Sequence, residues 1–322
     1  PGIPGIEIVE VTDDDGETSS AKVYVEHNTS SSRYLTVGAS GTVLYSVDGL
    51  NTWINGNSGT GSFLKRVIYN GSDRFVAVGD GGTVIYSTNG GVSWTAGVSG
   101  TGSKLYDIAY DGVSRYVAVG KNGTVIYSTD GAVSWTAGAS STTSTLRAIT
   151  SYGAGNFVIV GSSLTALYST NGGVTWTAGI TGAIPSETLE GLAYSGGRFL
   201  AVGANRMVIF SDDLGLNWSQ GTTTLISSTA DFEGIVSTSA NNWVVVGSAG
   251  DMMFSTDNGA NWSPKTTINT SLNYYDVIYD GVNLVTVGED GSMFISTDNG
   301  ATWVNIGNNS IFPDLTGIFY AP

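Results

Sequence analysis

The chain has 322 residues, of which 41% are apolar and only 12% charged, a composition typical of a folded protein and not of a disordered one. Its formal net charge of −15 argues against nucleic-acid and anionic-membrane partners, because both are bound through basic surfaces. Cysteine is absent, which excludes disulfides and thiolate metal sites. No apolar run approaches the roughly 18 residues of a membrane-spanning helix.

The first 28 residues differ from the rest of the chain. They begin with PGIPGIE (1–7), where Gly2 and Gly5 stand three apart. The segment therefore resembles the end of a collagen-like Gly-X-Y tract, with a plain Pro/Gly linker as the alternative. The alternating segments IEIVEV (6–11) and AKVYVEH (21–27) predict a β-hairpin. We therefore predict two parts, a linker with a hairpin in 1–28 and the repeats in 29–322.

The hairpin turn is acidic. Asp13, Asp14 and Asp15 stand in a row there, and Asp13 and Asp15 are the candidate calcium ligands. An acidic turn without metal is the simpler interpretation, so we expect neither a metal nor a cofactor. The single histidine, His27, is interpreted as an ordinary polar residue.

An eight-residue turn then recurs seven times, as SVDGLNTW, STNGGVSW, STDGAVSW, STNGGVTW, SDDLGLNW, STDNGANW and STDNGATW. Successive copies are 41 to 44 residues apart. Each unit holds four short segments rich in Val, Ile and Tyr, which in the third unit are LYDIAY (105–110), RYVAVG (115–120), TVIYS (124–128) and WTAG (135–138). Four strands in about 41 residues are typical of a propeller blade. We therefore predict an all-β fold, a single seven-bladed β-propeller of four-stranded blades.

The repeated turn resembles the Asp-box (BNR) motif, Ser-x-Asp-x-Gly-x-Thr-Trp, of sialidases and related propellers. The resemblance implies a turn between the third and fourth strands of each blade, on the face opposite any active site. The third position can bind the backbone of its own turn, and it is occupied by Asp48, Asn89, Asp130, Asn171, Asp213, Asp257 and Asp298. The last position offers a large ring for burial between blades, and it is occupied by Trp53, Trp94, Trp135, Trp176, Trp218, Trp262 and Trp303. We interpret the motif as structural and not as calcium-binding or catalytic.

The end of the chain predicts how the ring closes. The segment LTGIFY (315–320) matches the first strand of a unit, such as LKRVIY (64–69), but no turn unit follows it. We predict that it completes the blade begun by RYLTVG (33–38), which leaves no open sheet edge between the first and last blades.

The candidate binding site is the central channel, which the first strand of each blade lines. One early position of that strand, counted as its third residue, departs from the uniform repeat, and around the ring it is occupied by Arg66, Asp107, Arg147, Glu190, Glu233, Asp276 and Thr316. Mixed charges facing one channel suit recognition, and a solvated ring of mutual ion pairs is the alternative. Variable loops share this face and are longest over blades four to seven, where we place the binding rim.

The sequence argues weakly for an enzyme. A sialidase needs three clustered arginines, but four of the seven open the second strand of a blade, where a structural pairing is the simpler interpretation: Arg33, Arg74, Arg115 and Arg198. The Arg-Ile-Pro sequence that precedes the first box in sialidases is missing. A two-carboxylate glycosidase stays open, with Asp107, Glu190, Glu233 or Asp276 as its acidic groups.

Among Asp-box families, the unbroken seven-fold ring is most similar to the photosystem II assembly-factor type of propeller. The collagen-like lead, hairpin and globular head also resemble phage tail fibres and virion appendages. Our first hypothesis is a non-enzymatic attachment propeller on a virion or other extracellular surface, which binds a glycan or a protein and forms a homotrimer through its N-terminal segment. The alternatives are an assembly scaffold that binds a protein partner and a glycoside hydrolase. The first hypothesis predicts further Gly-X-Y triplets before Pro1, and the scaffold predicts a leader peptide there.

Overall fold

The ring predicted from the repeats is present. The computed structural model describes residues 6–12, 18–24, 32–221, 230–264, 271–307 and 312–322. It confirms an all-β propeller of seven four-stranded antiparallel blades. An N-terminal pair of strands comes first, β1 (Ile6–Thr12) and β2 (Thr18–Tyr24). These two strands are antiparallel, with Ile6 opposite Tyr24.

The seven blades follow in chain order, and the first of them takes one strand from the C-terminus. Blade 1 contains β3 (Arg33–Gly38), β4 (Val43–Ser46) and β5 (Ile54–Asn55); blade 2 contains β6 (Leu64–Tyr69), β7 (Phe75–Gly79), β8 (Val84–Ser87) and β9 (Thr95–Ala96); blade 3 contains β10 (Leu105–Tyr110), β11 (Tyr116–Gly120), β12 (Val125–Ser128) and β13 (Thr136–Ala137). Blade 4 contains β14 (Leu146–Gly153), β15 (Asn156–Gly161), β16 (Thr165–Ser169) and β17 (Thr177–Ala178); blade 5 contains β18 (Leu189–Ser195), β19 (Arg198–Gly203), β20 (Val208–Ser211) and β21 (Ser219–Gln220). Blade 6 contains β22 (Phe232–Ser239), β23 (Asn242–Gly247), β24 (Met252–Ser255) and β25 (Ser263–Pro264); blade 7 contains β26 (Tyr274–Tyr279), β27 (Leu284–Gly288), β28 (Met293–Ser296) and β29 (Val304–Asn305).

The predicted ring closure is confirmed. The last strand, β30 (Leu315–Ala321), pairs antiparallel with β3 and becomes the innermost strand of blade 1. The helical segments in the described ranges are six three-residue 3-10 turns between second and third strands, at Ala39–Gly41, Asp80–Gly82, Lys121–Gly123, Ala204–Arg206, Ser248–Gly250 and Glu289–Gly291. No helix of these ranges is long and apolar enough to span a membrane.

Several sequence-based expectations concern residues outside the described ranges. These are the collagen-like start with Gly2 and Gly5, the acidic turn Asp13–Asp15, and His27. The division into residues 1–28 and 29–322 stays a prediction.

The apolar core lies between neighbouring blades and has no single centre. Second strands such as β7 and β11 are buried along their whole length, because each is covered on both faces. In one cluster Leu35 and Tyr45 of blade 1 pack with Phe75 and Ile85 of blade 2. Burial on both faces explains why second strands read as nearly continuous apolar runs rather than as alternating ones.

The Asp-boxes form the same hydrogen-bonded turn in all seven blades. The hydroxyl of the first serine donates to the Asp or Asn at the third position in every copy. In the third copy, Asp130 Oδ1 also accepts the backbone N–H of Ser134 at 3.0 Å. Burial opposes the charge of Asp130, but bonds from Ser134 and Ser128 outweigh it and lower the pKa of this carboxyl to about 2. The side chain at the third position therefore stabilises the turn in which it lies.

Five of the seven Asp-box tryptophans are buried, and two are not. Trp262 is 2% exposed and Trp94 is 9% exposed. The Trp94 indole N–H donates to the Gly91 carbonyl oxygen at 3.1 Å, and four other copies repeat this bond. Trp53 and Trp303, in blades 1 and 7, are half-buried, and their indole N–H finds no acceptor.

The four arginines that open second strands connect neighbouring blades. Arg33 Nη1 donates to the Gly90 carbonyl oxygen in the Asp-box of the next blade at 2.6 Å. The other three arginines bind equivalent carbonyl oxygens at Gly131, Gly172 and Asn258. Each guanidinium also lies over an aromatic ring, such as Tyr45 under Arg33 at 5.5 Å. These arginines are therefore held in the blade contacts, away from the channel.

Candidate functional site

The two faces of the ring differ in their regularity. Each first strand begins beside the turn that joins the second and third strands of its blade, as where Asp80 N donates to the Phe63 carbonyl oxygen just before β6. Because strands alternate in direction, the Asp-boxes, which follow the third strands, lie at the opposite end of each blade. We call the side where first strands begin the loop face and the other side the Asp-box face.

A β-bulge near the start of the first strands separates the predicted channel ring into two levels. In β6 the register shifts between Leu64 and Arg66, and the other six first strands shift at the same place. Arg66, Asp107 and Asp276 are third residues of their strands, as counted from the sequence. Arg147, Glu190, Glu233 and Thr316 are second residues and lie nearer the loop face. The structure thus corrects the register that placed all seven at one position.

The inner level is an ion-paired layer across the channel. Arg66 Nε lies 3.1 Å from Asp107 Oδ1, and Arg66 Nη1 pairs with Asp276 Oδ2. The two carboxylates also accept backbone N–H groups of the following blades, from Ile149 at 2.8 Å and from Ile318 at 3.0 Å. Both aspartates are 6% exposed. Arg66 lines the cavities on both sides of this layer, so the layer divides the channel.

The charges of this layer depend on one another. Burial opposes the positive charge of Arg66, but Asp276 and Asp107 outweigh it and raise the pKa of the guanidinium. Burial raises the pKa of Asp107, although Arg66 and two backbone N–H groups act against that rise. Because both carboxylates are bound to Arg66 and to backbone N–H groups, we interpret the layer as structural.

Above this layer, on the loop face, lies a cavity of about 260 Å³ that we call the mouth pocket. Arg66 is its floor, and its wall combines aromatic rings with charges of both signs: Phe63, Lys65, Tyr106, Arg147, Glu190, Glu233, Tyr275, Asp314 and Thr316. Arg66, Arg147, Glu190, Glu233 and Thr316 were predicted from the sequence as channel residues. The remaining lining residues were not: Asp314, Phe63, Lys65, Tyr106 and Tyr275. Aligning the first strands on their buried first residue would have found the last three, since all are second residues.

The mouth pocket has a basic side and an acidic side. Arg147 Nη1 lies 3.5 Å from Glu190 Oε2, and the Arg147 guanidinium lies over the Tyr106 ring at 4.6 Å. Lys65 Nζ lies over the Phe63 ring at 3.3 Å. Burial lowers the pKa of Lys65, with Lys104 adding to the effect. Both cations are therefore held against aromatic faces, which favours a desolvated ammonium or guanidinium.

Glu233 is a mouth-pocket carboxylate without an ion-pair partner among the described residues. Burial raises the pKa of Glu233 to about 7, and the neighbouring carboxylates of Glu190 and Asp231 add to the rise against Arg147. Burial likewise raises the pKa of Glu190. An uncompensated carboxylate in a partly buried wall costs folding free energy.

We expect Glu233→Gln to stabilise the protein at pH 8 and to have no effect near pH 4.5. The folded pKa of about 7 exceeds the ordinary value of 4.5, so the native state binds more protons between these values. Stability therefore falls as pH rises through that window and stays low above it. Removing the charge should recover on the order of 1–2 kcal/mol at pH 8.

Thermal melts of both proteins at pH 4.5 and pH 8 test this expectation. The Asp-box-face variant Asp73→Asn is the control for replacing a carboxyl by an amide away from the mouth pocket. Equal melting temperatures for Glu233→Gln and wild type at pH 8 would contradict the unpaired state of this carboxylate.

The other half of the channel combines aliphatic and aromatic side chains with a few polar ones, such as Thr150 and Ser151. On the Asp-box side of the ion-paired layer lies a cavity of about 330 Å³ whose wall includes Ile68, Ile278 and Phe319. Phe319 also packs against the cores between blades 1 and 2 and between blades 2 and 3. This half of the channel lacks the free charges of the mouth pocket.

The loop face around the mouth pocket is also charged. A cavity of about 550 Å³ lies beside Tyr106 and is lined by Lys104, Lys121 and Asp80. Lys104 Nζ is 3.1 Å from Asp80 Oδ2, while Lys121 is exposed. The rim loops predicted as the binding surface fall largely outside the described residues, at 222–229, 265–270 and 308–311. Within the described ranges, no cluster of three His, Cys, Asp or Glu could hold a metal ion.

Comparisons with known proteins agree with this architecture. A family model described as the BNR/Asp-box repeat matches residues 167–178, which contain the fourth turn. No curated protein sequence matches the chain significantly. The resemblance to Asp-box propellers predicted from the sequence is confirmed at the level of motif and fold.

The fold is shared with solved structures, among them the following three. The structure of YCF48 bound to a D1 peptide is 15% identical with a TM-score of 0.62, covering 86% of this chain and 85% of that one. YCF48 from Cyanidioschyzon merolae is 16% identical with a TM-score of 0.64, covering 80% and 94%. The WD40 β-propeller domain of Doa1 is 13% identical with a TM-score of 0.60, covering 80% and 86%. At these identities the likeness establishes the fold alone.

Proposed function

We propose that this protein is a non-catalytic binding propeller that holds a linear segment of a partner protein at its mouth pocket. The observation that carries this proposal is the pocket itself, a blind cavity with aromatic walls and charges of both signs on the less regular face of the ring. Concave sites with aromatic surface and a few placed polar groups are typical ligand sites. A volume of about 260 Å³ suits one or two side chains of a segment that lies across the channel.

Two further observations support a polypeptide ligand. A propeller with the same fold has been solved with a peptide bound. The Asp-box face, by contrast, is occupied by turns that satisfy their own hydrogen bonds in all seven blades. These points favour the assembly scaffold, our alternative hypothesis, over attachment to a virion surface.

The pocket gives less support to a glycosidase. That chemistry needs two carboxylates facing one substrate, and Asp107 and Asp276 are already paired with Arg66 in the inner level. Of the two remaining candidates, Glu190 lies beside Arg147. Three expectations stay predictions from the sequence: glycan attachment, an extracellular or virion location, and the N-terminal homotrimer. Measuring binding and cleavage of a glycan panel would test glycan attachment.

A selection with random peptides tests the proposed function. Phage-displayed dodecapeptides would be selected on the wild type and then screened against Thr316→Trp, which fills the mouth pocket from its wall. The matched control is Val282→Trp on the Asp-box face, where Val282 is 71% exposed. We expect to find clones that bind the wild type and the control variant but do not bind Thr316→Trp. Thermal melts would show that both variants are folded. Failure to retain any clone, or equal retention by Thr316→Trp, would refute the proposal.

A further inference from the structure

We propose that the mouth pocket receives a lysine or arginine side chain of the partner segment, held between Glu190 and Glu233, while acidic residues of the same segment lie toward Lys104 and Lys121. This inference rests on the proposed function and adds the chemistry of the ligand. Three independent features of the loop face lead to it.

The first feature is the missing countercharge. Arg147 forms an ion pair with Glu190 at 3.5 Å. No described cation forms one with Glu233, although both carboxylates are half-buried. Leaving a carboxylate unpaired in such a position is costly, and a cation from a ligand would remove that cost. Among the described residues, the acidic side of the pocket therefore has no cation for Glu233.

The second feature is the aromatic wall. Tyr106 and Phe63 already have cations over their rings, from Arg147 and Lys65. Tyr275 also lines the pocket, and none of the described cations lies over its ring. An aromatic face together with a carboxylate is a favourable environment for a guanidinium or ammonium group.

The third feature is the segregation of charge across the loop face. In the described ranges, the loop-face lysines and the pocket residue Arg147 lie on blades 2 to 4: Lys65, Lys104, Lys121 and Arg147. Carboxylates predominate from blade 5 around to the start of blade 1: Glu187, Glu190, Asp231, Glu233, Glu289, Asp290 and Asp314. The one described cation on the acidic side, Arg206, is buried and lies 2.6 Å from Asp251.

This polarity fixes the orientation of a bound segment. A basic residue over blades 5 and 6 and an acidic residue over blades 2 and 3 would each meet opposite charge. The reversed orientation would place like charges together, which costs binding free energy. The loop face is thus complementary to a segment with both a basic and an acidic residue.

Binding of the cation should be linked to a proton. Glu233 is faced by Glu190 of β18, Asp231 of its own blade and Arg147 of β14, and it acts on Tyr275 of β26. A bound cation favours the ionised carboxylate, so affinity should rise with pH through about 7 and level off above it.

The dodecapeptide library is the probe that tests this inference. Among clones that bind wild type and not Thr316→Trp, we expect Lys or Arg in nearly all, with an acidic residue nearby. Replacing that residue by neutral citrulline or norleucine in the synthetic peptide should weaken binding at least about tenfold. Glu233→Gln should cause a similar loss for the cationic peptide and none for the neutral one.

A pH series gives a readout that altered folding would not mimic. The affinity of wild type for the cationic peptide should fall about tenfold from pH 8 to pH 6, and that of Glu233→Gln should stay constant. Asp73→Asn on the Asp-box face is the control and should behave as wild type. Pocket-binding peptides without a cation, or a cationic peptide indifferent to Glu233→Gln, would overturn the inference and leave the proposed function intact. A library that yields no pocket-binding clone would overturn both.

Discussion

Deleting residues 315–322 is expected to abolish the cooperative unfolding transition of the ring. β30 is the innermost strand of blade 1, and it buries Leu315, Ile318 and Ala321 at 0%, 1% and 5% exposure. Two buried aliphatic side chains contribute about 1.5–3 kcal/mol each. The backbone N–H of Ile318 also donates a hydrogen bond to Asp276 Oδ2 at 3.0 Å. Without β30, the edge of β3 and the cores beside it are open to water, at a cost comparable to the whole stability of many domains.

Complementation in trans separates this cause from a general effect of truncation. A synthetic peptide of residues 312–322 added to the truncated protein should restore a cooperative thermal transition, because the site for the strand is formed by blades 1, 2 and 7. The same peptide with Ile318→Asp should not restore it. A truncated protein that melts cooperatively at the wild-type temperature would show that closure by β30 contributes little.

The second large effect is expected from Arg66→Met, which should destabilise the protein by about 3–5 kcal/mol, because removing one partner of a buried ion pair leaves charge without compensation. Here two carboxylates, Asp107 and Asp276, would lose their common cation. The side chain of Arg66 is 21% exposed and those of Asp107 and Asp276 are 9% and 8% exposed, so solvent can replace little of the lost interaction.

Urea unfolding at pH 7 measures this loss, and a triple variant tests its cause. Arg66→Met with Asp107→Asn and Asp276→Asn removes all three charges while keeping amide oxygens that can accept the backbone N–H groups of Ile149 and Ile318. We expect the triple variant to be more stable than Arg66→Met alone. Arg33→Met, which breaks one contact between blades, is the control and should cost only about 1 kcal/mol. A loss below that of the control would contradict a structural role for the layer.

The sequence sufficed for the architecture because the repeat encodes it locally. Seven turns at nearly constant spacing, each followed by a tryptophan, specify seven blades. The unmatched segment LTGIFY specifies closure because it has the pattern of a first strand without a turn of its own. The blade arginines were also recognisable as structural, since four of them stand at the same place in the repeat.

The site was less accessible from the sequence because a β-bulge determines it. In blades 2, 3, 5 and 7 two successive residues at the bulge line the channel cavities. Residues such as Glu233 and Asp276 that seemed equivalent therefore belong to different levels. Ion pairs across the ring, such as Arg66 with Asp276, join blades far apart in sequence, and no local pattern indicates them. The exposure of Trp53 and Trp303 likewise depends on the packing of their blades and not on the motif.

A crystal structure with a selected dodecapeptide would show directly whether a partner segment binds at the mouth pocket. We expect the peptide to lie across the loop face, with a basic side chain between Glu190 and Glu233 and beside the Tyr275 ring. A peptide bound on the Asp-box face or along the outer edge of a blade, with the mouth pocket unchanged, would contradict this expectation.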